Sequence, residues 1–297
     1  MVVRICLLGF GEVGQILAAD IKQHSNAAIA AYDILFADSG SIPSQGLSNN
    51  LPLIKGESAA TAVAGCDVVI SAVTAEQTYK AAESVVPGLK QDAWFIDLNS
   101  ASPGIKVSVA KLVDAAGARY VEAAIMSPFP PKRLNSPVLI GGAYALESLE
   151  MLQSLGFSNV AAASEDLGKA SAAKMCRSVI VKGIEALLLE SLLAARCYGV
   201  EQSVLDSLQD LFPGIDWPQK AAYMIARSIE HGDRRAEEMR EVSRSVEEVS
   251  VMPLMSDACA QRQALAAQYT GALQKDQLTD MLDVILGQIQ TTEADRE

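Results

Sequence analysis

The strongest constraint on this chain lies in its first two dozen residues. A short apolar, β-rich run, Val2–Leu8 (VVRICLL), leads directly into Gly9-Phe10-Gly11-Glu12-Val13-Gly14, and Gln15–Gln23 then has helical spacing. The first glycine permits a tight turn. The second lets a ligand approach the backbone, and the third lets the helix pack closely on the strand. A helix opening there directs unpaired N–H groups and a partial positive charge at whatever sits before it, which makes an anion site. Strand, glycine turn and helix in this order predict the first unit of an α/β sheet that holds a phosphate-bearing ligand at a strand's carboxyl end.

The rest of the first half repeats the alternation. Ala27–Phe36, Leu51–Lys55, Cys66–Val73, Ala93–Leu98, Tyr120–Met126 and Val138–Gly141 are short apolar segments of strand character. Thr61–Ala64, Ala75–Ser84 and Gly104–Ala116 between them are helical in spacing. The expectation is a doubly wound, mostly parallel Rossmann sheet over residues 1–163. The pattern changes near residue 164. Leu167–Ala195 reads as one helix, with Cys176, Ile180, Gly183, Ile184, Leu187 and Ser191 on one stripe. At about 1.5 Å per residue it would exceed 40 Å and could join two domains. Gln202–Leu211, Pro218–Glu230, Arg234–Val249, Met255–Gln268 and Gln274–Thr291 follow, broken at Pro213, Gly214, Gly232 and Pro253. Residues 164–297 are therefore expected to be an all-α domain serving substrate and dimer contacts. The acidic tail Glu293–Glu297 is expected to fray.

The glycine turn fits a dinucleotide, with Gly9, Phe10, Gly11, Glu12, Val13 and Gly14 forming the cradle. Asp33 closes the second strand about twenty residues beyond Gly14, where an acidic side chain bonds ribose hydroxyls and repels a 2′-phosphate. That favours NAD over NADP. A loop-capping role for Asp33 is the alternative, and Asp38, Ser39 and Ser41 nearby leave NADP open. Two further loops fall at strand carboxyl ends. Ala72, Val73 and Thr74 are placed under the ribose and nicotinamide. Asn99, Ser100 and Ser102, in Asp97–Pro103, offer small polar groups beside a helix start, fit either for a substrate carboxylate or for capping that helix.

Composition narrows the partners. The 297 residues carry a net charge of −12, which disfavours nucleic acid. Five cysteines without CxxC spacing, and only His24 and His231, argue for buried reduced thiols and no metal site. No apolar run is long enough to span a membrane. Val2–Leu8 is too short for the core of a signal peptide, so a cytoplasmic protein is expected.

These residues together resemble the β-hydroxyacid dehydrogenase family, which includes 3-hydroxyisobutyrate and 6-phosphogluconate dehydrogenases, and within it a bacterial branch with a short helical C-terminal domain. Gly9, Gly11 and Gly14 match its cofactor fingerprint. Asp97–Pro103 is similar to its D-x-S-T-x-x-P loop, with Asn99-Ser100 in place of Ser-Thr. Glu122–Pro128 followed by Ile140-Gly141-Gly142 is similar to its D-A-P-V-S-G-G segment and glycine pair. Gly168–Ser178 is similar to G-x-G-x-x-x-K-x-x-N-N, which puts the family's catalytic lysine at Lys174.

The resemblance implies a substrate site of Asn99, Ser100, Ala101, Met126, Ser127, Arg177, Ser178 and Arg240, with Asn99 also touching cofactor. Three departures stand out. Met126-Ser127-Pro128 replaces Ser-Gly-Gly and removes backbone donors, Arg177-Ser178 replaces Asn-Asn, and Arg240-Glu241-Val242 replaces Lys-Asp-Leu. Arginine at 177 could clamp a carboxylate or phosphate. The implied activity is hydride transfer between nicotinamide and a 3-hydroxy acid, with Lys174 as general acid/base and a homodimeric assembly. Two other readings share the scaffold. One is an imine reductase, which usually lacks this lysine, and the other is a catalytically silent NAD-binding sensor. Glu237–Glu248 is expected to be a solvated helical face, and Trp217 and Tyr223 are candidates for capping the pocket or for packing.

Overall fold

The computed structural model describes residues 2–47 and 53–294. The expectations for Leu51, Pro52 and the last three residues of the acidic tail lie outside the described residues. The chain divides between Met175 and Cys176 into two compact units.

The first unit alternates strand and helix: β1 (Arg4–Leu8), α1 (Glu12–His24), β2 (Ala28–Tyr32), α2 (Ile42–Leu47), β3 (Leu53–Lys55), α3 (Ala59–Val63), β4 (Val68–Ser71), α4 (Thr78–Val85), β5 (Trp94–Asp97), α5 (Pro103–Ala115), β6 (Arg119–Ile125), the one-turn α6 (Phe129–Lys132), β7 (Val138–Gly141), α7 (Ala145–Ser154) and β8 (Val160–Ser164). The strands form one sheet ordered β3-β2-β1-β4-β5-β6-β7-β8, and among the described residues every pairing is parallel except β6 with β7. This is a doubly wound Rossmann sheet with two strands added at one edge. Alternate residues of β1 supply both faces, Ile5 and Leu7 to one core and Cys6 and Leu8 to the other. That two-sided burial is why the strands read as continuous apolar runs.

Four elements, α2, α6, α7 and β8, had no clear sequence signal. β8 is Val-Ala-Ala-Ala-Ser, an exposed edge strand built from residues with little strand preference. α7 lies in the stretch between the glycine pair and β8 that the alternation left unassigned.

A polar cluster around Asp97 is buried inside this unit. Lys106 lies on the face of α5 that also carries Val109, Ala110 and Val113, and it is fully buried. Its Nζ sits 2.8 Å from Asp97 Oδ1 and donates to the Asp97 carbonyl at 3.0 Å. Tyr120 Oη donates to Asp97 Oδ2 at 2.9 Å. Burial, and then the Asp97 charge, push the Tyr120 hydroxyl well above its ordinary range, so it stays a proton donor. The cluster fixes the end of β5 against α5 and β6.

A long helix, α8 (Lys169–Tyr198), follows β8, and the division between units falls inside it rather than at residue 163. The reason is local: the first turns of α8 are hydrogen-bonded to β6, as described below. The second unit holds the rest of α8 with α9 (Glu201–Leu211), α10 (Trp217–Glu230), α11 (Gly232–Glu247), α12 (Leu254–Ala266) and α13 (Leu278–Ala294). Its core gathers Leu189, Leu192, Ala221, Ile225, Leu282 and Ile285. The segment before α13, Thr270–Gln274, is a 3-10 turn, so this last helix starts later than its pattern suggested.

Several expectations need correction here. Cys6, Cys66 and Cys259 are buried free thiols, but Cys176 and Cys197 are exposed. The stripe Ile180, Ile184 and Leu187, whose burial the spacing left open, is 65%, 37% and 55% exposed, and the buried face of α8 carries Glu185, Leu189 and Leu192. The segment Glu237–Glu248 is only partly solvated, since Glu241 is buried and ion-paired with Arg244. Trp217 packs in the core, whereas Tyr223 is exposed.

The Asp97–Lys106 pair yields a direct expectation. Lys106→Met leaves a buried carboxylate without its cation and should lower the unfolding free energy by about 3–5 kcal/mol. Urea titration would show this as an earlier midpoint at unchanged slope. A midpoint equal to wild type would contradict the pairing.

Candidate functional site

The strand order reverses between β1 and β4, and open α/β sheets bind ligands at the carboxyl ends of strands at such a switch point. The three glycines of the first turn sit there with distinct geometry. Gly9 has φ +94°, and a side chain on it would meet the Ala72 carbonyl oxygen at 2.5 Å. A methyl on Gly14 would lie 2.2 Å from the Gly9 carbonyl oxygen, so helix and turn touch here. Around Gly11, by contrast, a methyl would meet nothing within 4 Å. The turn is thus tight where the protein packs on itself and open where a pyrophosphate would approach. Gly11 is also the N-cap of α1, and no side chain caps that helix end. The residues present fit a dinucleotide: Gly11, Glu12 and Val13 would offer backbone N–H groups to its phosphates. The Phe10 side chain is fully buried, edge-on to Phe36, and contributes only through its backbone.

Asp33 connects this turn to the next. Its Oδ2 accepts from Phe10 N at 2.7 Å and its Oδ1 accepts from Leu35 N at 2.9 Å, where it caps the 3-10 turn Ile34–Ala37. The capping role is therefore real. Each carboxylate oxygen keeps further acceptor capacity, so a ribose contact is compatible with it.

At the ends of β4 and β5, Asn99 is a staple. It is buried, its Oδ1 accepts from Val73 N at 2.6 Å, and its Nδ2 donates to Ser71 Oγ at 2.9 Å. Asn99 N in turn donates to Asp97 Oδ1 at 3.0 Å. The buried Asp97–Lys106 pair thereby fixes Asn99, and Asn99 fixes the Ala72-Val73-Thr74 loop, of which Thr74 is exposed. Ala101 is fully buried. Ser102 Oγ accepts from Ile105 N and caps α5, which leaves Ser100 free of that duty.

Ser100 has a different partner. Lys174, on the second turn of α8, donates from Nζ to Ser100 Oγ at 2.6 Å. Both residues belong to the first unit. The family resemblance implied one site for these two, and the structure joins them across 74 positions of chain. Met126 and Ser127 are half-buried just beyond the carboxyl end of β6, beside β5 in the sheet. Arg177, Ser178 and Arg240 belong to the second unit. There Arg177 and Arg240 are exposed, and Ser178 is buried, accepting from Lys182 Nζ at 3.2 Å. Lys182 also pairs with Glu238 at 3.0 Å.

Residues that sequence reasoning missed are Lys106, Tyr120 and Glu122, all buried behind the site. A signal for Lys106 existed: it is spaced i, i+3, i+4, i+7 with Val109, Ala110 and Val113, which marks the buried face of α5. Among the described residues no group of histidine, cysteine, aspartate and glutamate could hold a metal, and no helix is long and apolar enough to cross a membrane.

Residues 4–142 match the NAD binding domain of 6-phosphogluconate dehydrogenase, and residues 195–265 match a domain of unknown function, DUF1932. A solved structure of a conserved hypothetical protein from Sinorhizobium meliloti is 36% identical over 96% of both chains, with TM-score 0.77. Another, a conserved protein of unknown function described as structurally similar to 3-hydroxyacid dehydrogenases, is 29% identical over 90% of this chain and 98% of its own, with TM-score 0.69. A 3-hydroxyisobutyrate dehydrogenase from Mycobacterium tuberculosis shares the fold at 17% identity, over 97% of this chain and 99% of its own, with TM-score 0.72. The chain carries an NAD(P)-binding, 3-hydroxyacid dehydrogenase-like fold, and it belongs to the β-hydroxyacid dehydrogenase family, in the branch that joins a 6-phosphogluconate-dehydrogenase-type NAD-binding domain to DUF1932.

Proposed function

We propose that this protein is an NAD(P)-dependent oxidoreductase that interconverts a 3-hydroxy acid and its carbonyl form, with Lys174 as the general acid/base. The observation that carries this reading is the 2.6 Å contact from Lys174 Nζ to Ser100 Oγ, at the carboxyl edge of the sheet beside the glycine turn. The bound dinucleotide supplies the hydride acceptor, C4 of its nicotinamide. In the oxidising direction Lys174, in its neutral form, would take the hydroxyl proton as the carbinol C–H bond breaks, its hydride passing to the nicotinamide, and the C=O bond forms. In the reducing direction its ammonium returns that proton to the alkoxide oxygen. Ser100 holds the Nζ in place.

NAD is the favoured partner in this reading. Asp33 presents a carboxylate at the end of β2, where it would repel a 2′-phosphate, and the cation that reaches the turn after it, Lys55, donates to the Phe36 carbonyl at 3.4 Å and lies over the Phe36 ring. A substrate panel tests the whole proposal. Aliphatic, aromatic, sugar-acid and phosphorylated 3-hydroxy acids would be offered with NAD and NADP to wild type and to Lys174→Ala. Wild type should turn over one class, faster with NAD. Lys174→Ala should bind dinucleotide normally and lose about 10²–10⁴-fold in kcat. No oxidation of any member would point to a C=N substrate or a sensor, and an undiminished Lys174→Ala would remove the lysine from the mechanism.

The cradle has its own test. Gly11→Ala adds a methyl into open space, so thermal stability should hardly change. The same methyl obstructs the approach of the pyrophosphate, and NADH fluorescence titration should show binding weakened at least about tenfold. Unchanged affinity would place the phosphates elsewhere.

We further propose that the second unit pairs with a second copy of the chain along the exposed stripe Ile180, Ile184 and Leu187 of α8. Burying three large apolar side chains that water now touches is favourable, at about 25 cal/mol per Å², and a repeating stripe on one helix suits a two-fold contact. Light scattering should give a dimer for wild type and a folded monomer for Ile184→Glu/Leu187→Glu. A wild-type monomer would end this part of the proposal.

A further inference from the structure

Two buried carboxylates stand side by side in the sheet, and they are neutralised in different ways. Asp97 on β5 and Glu122 on β6 are register partners, and both are fully buried. Asp97 has the Lys106 ammonium. Glu122 has the beginning of α8: its Oε2 accepts from Gly168 N at 2.6 Å and its Oε1 accepts from Ser171 N. A carboxylate accepting two N–H groups at the N-terminus of a thirty-residue helix gains from charge-assisted hydrogen bonds and from the helix dipole together.

Two glycines make this approach possible. Gly168, with φ +87°, turns the chain into the helix and lies against Pro103 at the start of α5; a methyl on it would sit 3.2 Å from Pro103 Cβ. A methyl on Gly141 would lie 3.0 Å from Glu122 Oε2. The helix start is therefore held from β6, from α5 and from β7 at once. Lys174 is one turn past Ser171, so the rotation and height that bring its Nζ to Ser100 Oγ are set where Glu122 grips the first turn.

We infer that Glu122 is a positioning residue for Lys174: it acts through the first turn of α8 and not on substrate. This inference rests on the acid/base reading of Lys174 for its catalytic meaning, but the placement itself can be measured without a substrate. Acetic anhydride at limiting concentration would acylate the amines of the full-length protein. Mass spectrometry would then give the yield at Lys174 relative to Lys111, an exposed lysine of α5.

In Glu122→Gln, one of the two N–H groups of the first turn faces an amide NH₂ in place of an oxygen. The Lys174/Lys111 ratio should rise severalfold as the lysine leaves Ser100, while NADH affinity stays at the wild-type value. With an active substrate, kcat should fall between about ten- and a hundredfold at unchanged cofactor KM, which a merely stabilising cap would not produce in folded protein. Gly141→Ala displaces the carboxylate without removing it and should shift the ratio in the same direction by less. It also decides the matter if Glu122→Gln does not fold.

An unchanged ratio in a folded variant overturns the inference. The two readings fail separately. If Lys174→Ala keeps its activity while the ratio shifts, the acid/base assignment falls and the placement stands. If Lys174→Ala is inactive while the ratio is constant, the placement falls and the assignment stands.

Discussion

The first unit depends on how it handles charge that it has taken out of water. Asp97 and Glu122 occupy neighbouring positions on adjacent strands, beneath α5 and the start of α8, where an unpaired carboxylate would be prohibitively expensive. One is balanced by the buried Lys106 ammonium and the Tyr120 hydroxyl, the other by backbone N–H groups at a helix end. Each solution ties two elements together. The pair on Asp97 joins β5 to α5 and β6, and the cap on Glu122 joins β6 to α8. Apolar contacts alone would let these elements slide by fractions of an ångström, whereas charge-assisted bonds with fixed geometry do not. The polar ends of the site, Asn99 and Ser100 on one side and Lys174 on the other, are the outward continuation of these two clusters.

The second unit has a comparable seam. Glu185 on α8 is ion-paired with Arg235 on α11 and accepts from Gln263 on α12. Burial raises the Glu185 carboxyl and lowers the Arg235 guanidinium, each opposed by the other's charge. Cys259 donates to the Lys182 carbonyl beside it. Such a pair adds little net stability, since desolvation offsets most of the attraction. It does set which face of α8 turns inward. That choice leaves Ile180, Ile184 and Leu187 on the outside.

What was legible in the sequence was what is encoded locally. The glycine turn, the strands from β1 to β7 and the spacing that singled out Lys174 are patterns within a few residues, and the structure places Lys174 against Ser100. The misses are non-local or cancel locally. Glu122 entered only as the first residue of a segment similar to the family's, with no role assigned, because its partners lie 46 and 49 positions away. α8 is apolar on two faces, so periodicity alone could not say which one is buried, and the more regular stripe proved to be the exposed one. β8 has an alanine core that no propensity scale favours as strand; it exists because β7 offers it an edge.

The Asp33 carboxylate constrains how this fold could change over evolutionary time. Its two oxygens close the glycine turn at Phe10 and cap the turn at Leu35, so the acidic residue proposed to disfavour a 2′-phosphate is also part of the scaffold. A lineage drifting toward the phosphorylated cofactor could not simply discard it. Removal would orphan two backbone donors beside the phosphate cradle, and the new cation would arrive on a loosened turn. The accessible route runs through asparagine or serine, which retain one acceptor, with arginine or lysine added afterwards on the segment beyond Leu35. If the proposed preference for NAD holds, backbone geometry makes it a historical commitment, and its reversal should need at least two ordered substitutions.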